Sequence, residues 1–322
     1  MPKKTTNKSL RIRLIGRVSP RPFRKTRRST APVIAEIRVK SVPEYLRAVN
    51  KVFKTLCTSD QSNRCELWYR GQAETNFDLL PTITRKTNNL QLNPLFETVF
   101  LSKFKSLAIP FVERLPAFPL PGGTTNYWSW LFMLRHYGLP ARIMDWSRDA
   151  LTGLFFATDP TDPSLKKGID AAVWVLNPVT LNKAFIFHSF IKPGYIPNVE
   201  EEAFNRLFGP ESSNHRPKPA AAIGPLNTTR IVAQRGTFTV FPLMKHLIAM
   251  NKLPDSAKHL FKIIIAWQDF KDIQTQLKHY GITRLSLFPD IDIIANEVFQ
   301  QVLDEGVNTI DPKIRIKNKI AT

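Results

Sequence analysis

An arginine followed by a glycine at the end of a short apolar segment is the first place where the sequence offers chemistry. Arg70 and Gly71 lie in the run Trp-Tyr-Arg-Gly-Gln over residues 68–72. A guanidinium group matches the oxygens of a diphosphate through paired hydrogen bonds, and a glycine allows a close backbone approach. The alternative is a buried arginine that pairs with Asp145 and ties two strands together. Both roles can hold at once.

A second segment, residues 142–147, carries a carboxylate and a hydroxyl. Asp145 can orient Arg70, or it can act as a base if burial beside Trp146 raises its pKa. Structural alternatives are that Asp145 caps the following turn or that the Ser147 hydroxyl caps the next helix. For Ser147 we favour the capping role.

Metal and thiol chemistry find little support in the residue pattern. No His/Cys cluster has metal-ligand spacing, and Asp290 with Asp292 fits a strand end and a helix N-cap better than a metal pair. Cys57 and Cys65 lack zinc-site spacing, and Cys57 is expected on an apolar helix face or at its end, where a buried thiol is inert. We therefore expect no metal and a reducing, cytoplasmic setting.

The elements that must position these residues mix helices and strands without a βαβ rhythm. The sequence predicts helices at residues 41–56, 94–109, 126–137, 149–157, 269–280 and 290–303. Strands are predicted at residues 66–72, 142–147, 171–176, 230–241 (two short strands), 261–267 and 282–287, with loops at 110–123 and 209–228. We expect an α+β fold with small mixed or antiparallel sheets and packed helices.

Charge divides the chain into three parts. The 322 residues include 46 Lys and Arg against 26 Asp and Glu, a net charge of +20. Residues 1–30 hold eleven basic residues and no acid, and residues 313–322 hold four basic residues and no acid. This pattern predicts a disordered basic tail over 1–30, a folded domain over 31–312 and a basic tail over 313–322.

Polybasic tails bind phosphates and release counterions, so nucleic acid is the expected partner. A solubilising tail or an acidic protein partner are the alternatives. We expect no membrane role, because the tail lacks an amphipathic apolar face and no apolar run is long enough to span a bilayer. The N-terminus also lacks the apolar segment of a signal peptide.

Four ordered motifs resemble the FRG domain family, which is named for a Phe-Arg-Gly motif. The first is Tyr69-Arg70-Gly71, with tyrosine in the Phe position and with Leu80-Pro81 and Arg85 following. The others are Arg135 to Ser147 running on to Ala157, Gln234-x-Gly236-x-Phe238, and Tyr280-Gly281-Ile282 through Asp292. The resemblance spans roughly residues 40–300. This chain departs from the family in having Arg135 where Gln is usual, and Ala141 and Ser147 where Thr is usual.

A second, weaker resemblance is to Arg-Ser-Glu type ADP-ribosyltransferases. In those enzymes an aromatic-Arg-Gly motif closes the first core strand, and its arginine holds the diphosphate of NAD. A second strand carries a hydroxyl and leads into a helix, as Ile143–Ser147 does here. The third motif, Gln-x-Glu, corresponds to Gln234-Arg235-Gly236, which lacks the glutamate. The resemblance implies an ADP-ribosyltransferase-like fold with NAD as substrate.

On that resemblance the candidate residues divide into two groups. His136 can donate to a ribose hydroxyl and the Tyr137 ring can stack on nicotinamide, although a histidine at a helix C-terminus can equally contact the last carbonyls. Gln234 can fix a ribose or the acceptor, and a β-turn at Gly236 is the simpler alternative. The predicted catalytic residues are Arg70, Asp145, Gln234 and His136. The predicted cofactor-binding residues are Tyr69, Arg70, Gly71, Gln72, Tyr137, Arg142 and Ser147.

Glycosyl transfer from NAD passes through a cationic transition state that a carboxylate stabilises. The candidates are Asp145, Glu74 or an acid among residues 200–202. The leading hypothesis is an ADP-ribosyltransferase that modifies nucleic acid, with RNA preferred and protein second. By analogy it would be a toxin or phage-defence component held by an acidic antitoxin. The alternatives are a non-catalytic nucleic-acid-binding module and a metal-independent nuclease using Asp145, His136 and Arg70.

Overall fold

Seven strands form one mixed sheet in the computed structural model, within the residues that it describes: 33–57, 65–84, 86–87, 90–112, 126–185, 191–212, 218–225 and 228–304. The sheet strands are β1 (Glu36–Val39), β2 (Trp68–Gln72), β5 (Ile143–Ser147), β6 (Ala171–Leu176), β7 (Ala220–Ala222), β8 (Gly236–Val240) and β9 (Leu260–Ile265). A separate antiparallel pair joins β3 (Lys86–Thr87) to β4 (Leu90–Gln91). The predicted tails and Arg85 lie outside the described residues.

The helices surround this sheet. They are α1 (Val42–Leu56), α2 (Glu97–Val112), α3 (Tyr127–His136), α4 (Ala150–Thr158), α5 (Pro178–Phe185), α6 (Glu202–Phe208), α7 (Thr229–Ala233), α8 (Phe270–His279), α9 (Arg284–Leu287) and α10 (Ile291–Asp304). The expected α+β class is therefore confirmed, although the main sheet is one large sheet rather than several small ones.

The strand order is β1-β9-β6-β2-β5-β8-β7, and β1 pairs with β9 in parallel while the other neighbours are antiparallel. β2 pairs with β6 along all five residues, and β5 pairs with β8 along all five. Between β2 and β5, however, the register contains the single pair Tyr69↔Ser147. The sheet thus consists of two halves that meet at one residue pair and separate on either side of it.

Apolar clusters cover both faces of the sheet. On one face α1, α4 and α8 pack against the half around β6 and β9, and α3 packs against β5 and β8. On the opposite face Trp68, Trp146 and Trp174 pack together with Met250 and Leu253. Two different helical layers therefore meet on one face above the junction of β2 and β5.

Local signals explain where the helices beside that junction begin and end. The Ser41 hydroxyl accepts from the N–H of Glu44 at the start of α1, as the sequence predicts. α4 begins after Asp149, whose carboxylate accepts from the N–H of Leu151 at 2.8 Å. Gly138, with φ of 81°, follows α3 in the left-handed conformation that favours glycine.

Several predicted elements are wrong. Residues 229–233 form the helix α7 and residues 284–287 the helix α9, where strands were predicted, because the caps Thr228 and Thr283 start helical turns. The predicted loop at 110–123 is helical to Val112, and the loop at 209–228 contains β7. β1 was not predicted, since its four residues alternate too briefly to stand out.

Cys57 and Cys65 are joined in a disulfide, which corrects the expectation of reduced, inert thiols. The end of α1 and the segment before β2 bring their Cα atoms to 5.9 Å, a separation typical of disulfides. Sequence spacing does not reveal this proximity. The cysteines therefore lend no support to a reducing compartment, and the cytoplasmic setting stays a prediction. None of the helices in the described ranges has the length and apolar character needed to cross a membrane.

Candidate functional site

A cleft of about 350 Å³ lies where β2 and β5 separate. All four residues predicted to be catalytic line it, as do four of the residues predicted to bind a cofactor: Arg70, His136, Asp145 and Gln234, and Tyr69, Arg70, Gly71 and Ser147. Thr82, Arg135, Phe156, Asp162 and Arg230 also contribute to the lining. The fold thus brings together residues that are up to 165 positions apart in the sequence, from Tyr69 to Gln234.

The elements around the cleft are neighbours in the sheet or lie above it. Arg70 lies on β2, Asp145 on β5, and Gln234 directly before β8, and these three strands are adjacent. Arg135 and His136 occupy the last turn of α3, and Arg230 lies on α7. Basic side chains therefore approach from a strand and from two helices.

Asp145 is the carboxylate at the centre of this arrangement. Arg70 Nη1 donates to the main-chain oxygen of Asp145 at 2.6 Å, while Arg135 Nε and Nη2 donate to the carboxylate Oδ2 at 3.1 and 2.7 Å. Arg70 therefore ties β2 to β5 through the backbone, and Arg135 is the residue that pairs with the acid. The Asp145 side chain is 41% exposed and the Arg135 side chain 21%.

The condition on which Asp145 could act as a base, a raised pKa, is not met. Burial by itself raises the pKa of Asp145, but the charges of Arg135, Arg70 and Arg230 and the hydrogen bonds from Arg135 outweigh it. The pKa lies below the ordinary aspartate value, so the group is ionised at neutral pH. A carboxylate of this kind is a weak base, but it can stabilise positive charge nearby.

The pKa of His136 is also lowered, but for a histidine this disfavours the charged form. Burial lowers its pKa, the charge of Arg230 lowers it further, and Asp290 opposes these effects only in part. The imidazole is therefore neutral at pH 7 and can serve either as a hydrogen-bond donor or as an acceptor.

Ser147 and Gln234 are held by contacts with the protein. Ser147 Oγ donates to the main-chain oxygen of Gln234 at 2.7 Å and accepts from the N–H of Asp149 at 2.9 Å. The residue that caps the helix is Asp149, two positions after Ser147, for which the capping role was predicted. Gln234 Nε2 donates to the main-chain oxygen of Leu287 at 3.0 Å, which fixes the orientation of its amide.

Two glycines lie at positions with local constraints. A Cβ on Gly71 would overlap the backbone of α4 at Gly153, Phe156 and Ala157, so this glycine is required for the packing of α4 on β2. At the predicted β-turn, Arg235 carries the left-handed φ of 47°, and Gly236 begins β8 opposite Ser147.

Three residues predicted to bind a cofactor lie outside the cleft lining. Gln72 is buried, and its Oε1 accepts from Trp174 Nε1 at 2.7 Å. Tyr137 is 54% exposed and packs beside Phe104. Arg142 is fully buried in an ion pair with Glu97. The structure places these three side chains away from the cleft lining, because neighbouring positions on a strand or helix end point to different sides.

The other carboxylates that the sequence offered also lie elsewhere. Glu74 pairs with Lys166 at 3.5 Å, and Glu202 pairs with Arg206 on α6. Glu201 accepts from Tyr195 Oη and from the N–H of Asn198. Of the acids in the described part of the chain, Asp145 and Asp162 line the cleft.

Sequence reasoning missed Arg230 and singled out Arg135 only as a departure from the family. The Arg230 guanidinium lies 4.2 Å from the centre of the Phe288 ring, and burial lowers its pKa. Arg230 was missed because its segment was predicted as a strand. Arg135 had a usable signal, since it adds a charge directly before His136 at the end of a predicted helix.

No group of three or more His, Cys, Asp or Glu side chains within the described ranges could hold a metal ion. The lining of the cleft carries more basic than acidic side chains. Three arginines and two aspartates line it, together with the neutral His136 and the amide of Gln234.

Comparison with known proteins identifies one segment of the chain. Residues 65–165 match the family model of the FRG domain, and no curated protein or solved structure matches the chain. The first two motifs lie within the match, and the Gln234 and Tyr280 motifs lie beyond it. β2, α3, β5 and α4 around the cleft all belong to the matched segment. Residues 65–165 of this chain are therefore similar to the FRG domain.

Proposed function

We propose that the chain transfers ADP-ribose from NAD to a nucleic acid, with RNA as the preferred acceptor. The observation that carries this proposal is the single cleft lined by Arg70, His136, Asp145 and Gln234. The three segments that resemble ADP-ribosyltransferase motifs lie on or next to the adjacent strands β2, β5 and β8. The proposal therefore rests on the proximity of four residues that the sequence itself indicates as catalytic.

The residues in the cleft fit the parts of NAD. The volume of the cleft, about 350 Å³, falls in the range of small-molecule sites, roughly 300–1,000 Å³. Arg70 can bind the diphosphate through charge-assisted hydrogen bonds. His136, as a neutral imidazole, can bind a ribose hydroxyl, and the Gln234 amide is held in a fixed orientation for the same purpose.

When bound, NAD supplies an activated glycosidic bond. The bond from the ribosyl carbon to nicotinamide breaks, a bond to an oxygen or nitrogen of the acceptor forms, nicotinamide leaves with the bonding electrons, and the acceptor loses a proton. Asp145 is ionised and can stabilise the positive charge on the ribosyl group in the transition state. It takes the role that the missing glutamate of the third motif would have. His136 can accept the proton.

The charge of the chain supports a polyanionic acceptor. The basic residues of 1–30 and 313–322 would bind phosphates by counterion release, independently of base sequence. An enzyme that modifies the RNA of its own cell requires restraint. We therefore propose a toxin or phage-defence role with an acidic inhibitor protein that covers the basic segments.

The test uses full-length protein and NAD labelled on its adenylate phosphate, incubated with total RNA, DNA and cell lysate. We expect label on RNA with the wild type, none with Arg70→Ala, and an unchanged yield with Arg38→Ala, which removes an exposed arginine of β1 outside the cleft. A thermal melt checks that Arg70→Ala remains folded. Label on protein alone would indicate that the acceptor is a protein and not RNA.

Two results would overturn the proposal. RNA binding that requires Arg70, without transfer of label under any condition, would indicate a non-catalytic nucleic-acid-binding module. Degradation of RNA in the absence of NAD would indicate a nuclease.

A further inference from the structure

Arg230 lines the cleft and, among the residues that the structure describes, has no hydrogen-bonded or ion-paired partner. Its side chain is partly buried, and it makes no hydrogen bond or ion pair with any residue in the described ranges. Its guanidinium lies over the Phe288 ring, a cation–π contact that satisfies none of its N–H donors. A desolvated charge without hydrogen-bond acceptors is costly, so the site favours an external anion.

The acids near Arg230 do not supply that partner. Asp145 and Asp290 act on Arg230 only through their charge, and Asp145 Oδ2 already accepts two hydrogen bonds from Arg135. Burial and the positive charges of Arg135 and Arg284 outweigh these acids, so the pKa of Arg230 lies below the ordinary arginine value. Positive charge at this end of the cleft is therefore in excess.

Arg135 and His136 lie close enough to Arg230 to form one surface with it. Each interacts electrostatically with Arg230, and all three line the cleft. We define Arg135, His136 and Arg230 as the α3–α7 wall. Arg135 directs Nε and Nη2 at Asp145, and within the described residues Nη1 makes no hydrogen bond. The wall thus offers donors from two arginines.

We propose that the α3–α7 wall is a second anion subsite, separate from Arg70, that binds a phosphate group with Arg230 as its principal ligand. The inference deepens the proposed function and rests on it for the role of the bound phosphate in transfer. The same chemistry has two sources: the additional phosphate of NADP, or a backbone phosphate of the acceptor. A guanidinium group positioned over an aromatic ring suits either source.

The first experiment measures binding of inorganic phosphate and pyrophosphate to the full-length protein by calorimetry and thermal shift, in low-salt buffer. It compares the wild type, Arg230→Met, Arg230→Lys and the control Arg38→Ala. We expect Arg230→Met to lose about tenfold or more in affinity, as befits a charge-assisted contact. Arg230→Lys should retain part of the binding, and Arg38→Ala should match the wild type.

A second readout separates a ligand-binding arginine from a structural one. Without anions, Arg230→Met should melt at the same temperature as the wild type or higher, because it removes an uncompensated charge but retains the packing on Phe288. A clearly lower melting temperature would assign Arg230 to the fold and overturn the inference. Equal phosphate affinity of the wild type and Arg230→Met, or no binding by the wild type, would overturn it as well.

A final comparison identifies the source of the phosphate. If Arg230→Met abolishes a preference for NADP over NAD, the subsite binds the cofactor phosphate. If it instead weakens binding of a 5′-phosphorylated RNA trinucleotide and leaves NAD affinity unchanged, the subsite binds the acceptor. No effect on any of these ligands would overturn the subsite. Because none of these measurements requires transfer, the subsite can stand even where the labelling experiment fails.

Discussion

Arg142 and the three arginines of the cleft differ in how many hydrogen-bond acceptors surround them. Arg142 is fully buried, and its donors reach Glu97 at 2.8 Å, the main-chain oxygen of Phe241 at 2.6 Å and Tyr127 Oη at 3.3 Å, together with the main-chain oxygen of Phe208. We call Glu97, Tyr127 and Arg142 the Arg142 centre. In the cleft, Arg70, Arg135 and Arg230 face a space instead of a closed set of acceptors.

The pKa shifts express the same difference. Burial alone lowers the pKa of both Arg142 and Arg230. At Arg142 the charges and hydrogen bonds of Tyr127 and Glu97 reverse this effect, and the pKa rises. At Arg230 no comparable partner is present among the described residues, and the pKa falls. A buried arginine with a complete set of acceptors therefore indicates a role in the fold, whereas one without them indicates a role in binding.

The largest expected effect is at the Arg142 centre. Glu97→Ala removes the acceptor for the N–H and Nε of Arg142 and leaves a buried guanidinium uncompensated. Breaking a buried ion pair by deleting one partner costs about 3–5 kcal/mol, measured as the free energy of unfolding in urea. The matched control is Glu202→Ala, which breaks an exposed pair with Arg206 and should cost less than about 1 kcal/mol. Equal losses in the two variants would contradict the division between the two regions.

Much of the cleft could be predicted because its signals are local. The Arg70-Gly71 motif, the His136 helix end and the strand with Asp145 each lie within a few residues of a clear boundary. Their convergence depends on the order of β2, β5 and β8, which no local pattern encodes. Arg142 was assigned to the wrong region for the same reason, since Glu97 lies 45 residues away in the sequence. Arg230 was missed because Thr228 caps a helix of only five residues, too short to show helical periodicity.

The next largest effect tests how tightly β2 packs against α4 at Gly71, in the lining of the cleft. Gly71→Ala would place a methyl group against backbone atoms of α4, which cannot move away as a flexible side chain could. We expect a loss of about 1–3 kcal/mol in the free energy of unfolding, as for other overpacked sites.

Gly138→Ala is the control for Gly71→Ala. It meets no neighbour within 4 Å but has φ of 81°, so it should cost only about 1 kcal/mol through backbone strain. A smaller loss for Gly71→Ala than for Gly138→Ala would show that α4 yields at this contact.

Ser147 sharpens the comparison from within the cleft. It lines the cleft, but its hydroxyl is committed to Gln234 and Asp149, so by its contacts it resembles Arg142 more than Arg230. Ser147→Ala should lower the free energy of unfolding by about 1 kcal/mol, the usual value for a lost hydrogen bond. Transfer of label from NAD should change by only a few fold. A loss of transfer without a loss of stability would instead make the hydroxyl part of the chemistry.

The smallest effect concerns Arg135 and is best seen in its pH dependence. Because the pKa of Asp145 is depressed in the folded state, its ionised form stabilises the protein above the unfolded-state pKa, about 3.9, and this contribution is lost as pH falls through the folded-state pKa. Arg135→Gln removes the largest of the opposing charges, so the pKa of Asp145 should rise and acid destabilisation should begin at a higher pH. Since both side chains are partly exposed, the change in stability at neutral pH should stay below about 1 kcal/mol.

The measurement for Arg135→Gln is an NMR titration of the Asp145 carboxyl carbon, with urea unfolding at several acidic pH values. Arg148→Gln is the control, because Arg148 pairs with Glu66 at 3.5 Å and lies outside the cleft lining; it should leave the Asp145 titration unchanged. An unchanged Asp145 pKa in Arg135→Gln would mean that Arg70 and Arg230 together hold the carboxylate ionised. The charge of Arg230 would then be balanced by Asp145 inside the protein. Arg230 would in that case resemble Arg142 more closely, and the difference between the cleft and the Arg142 centre would be smaller.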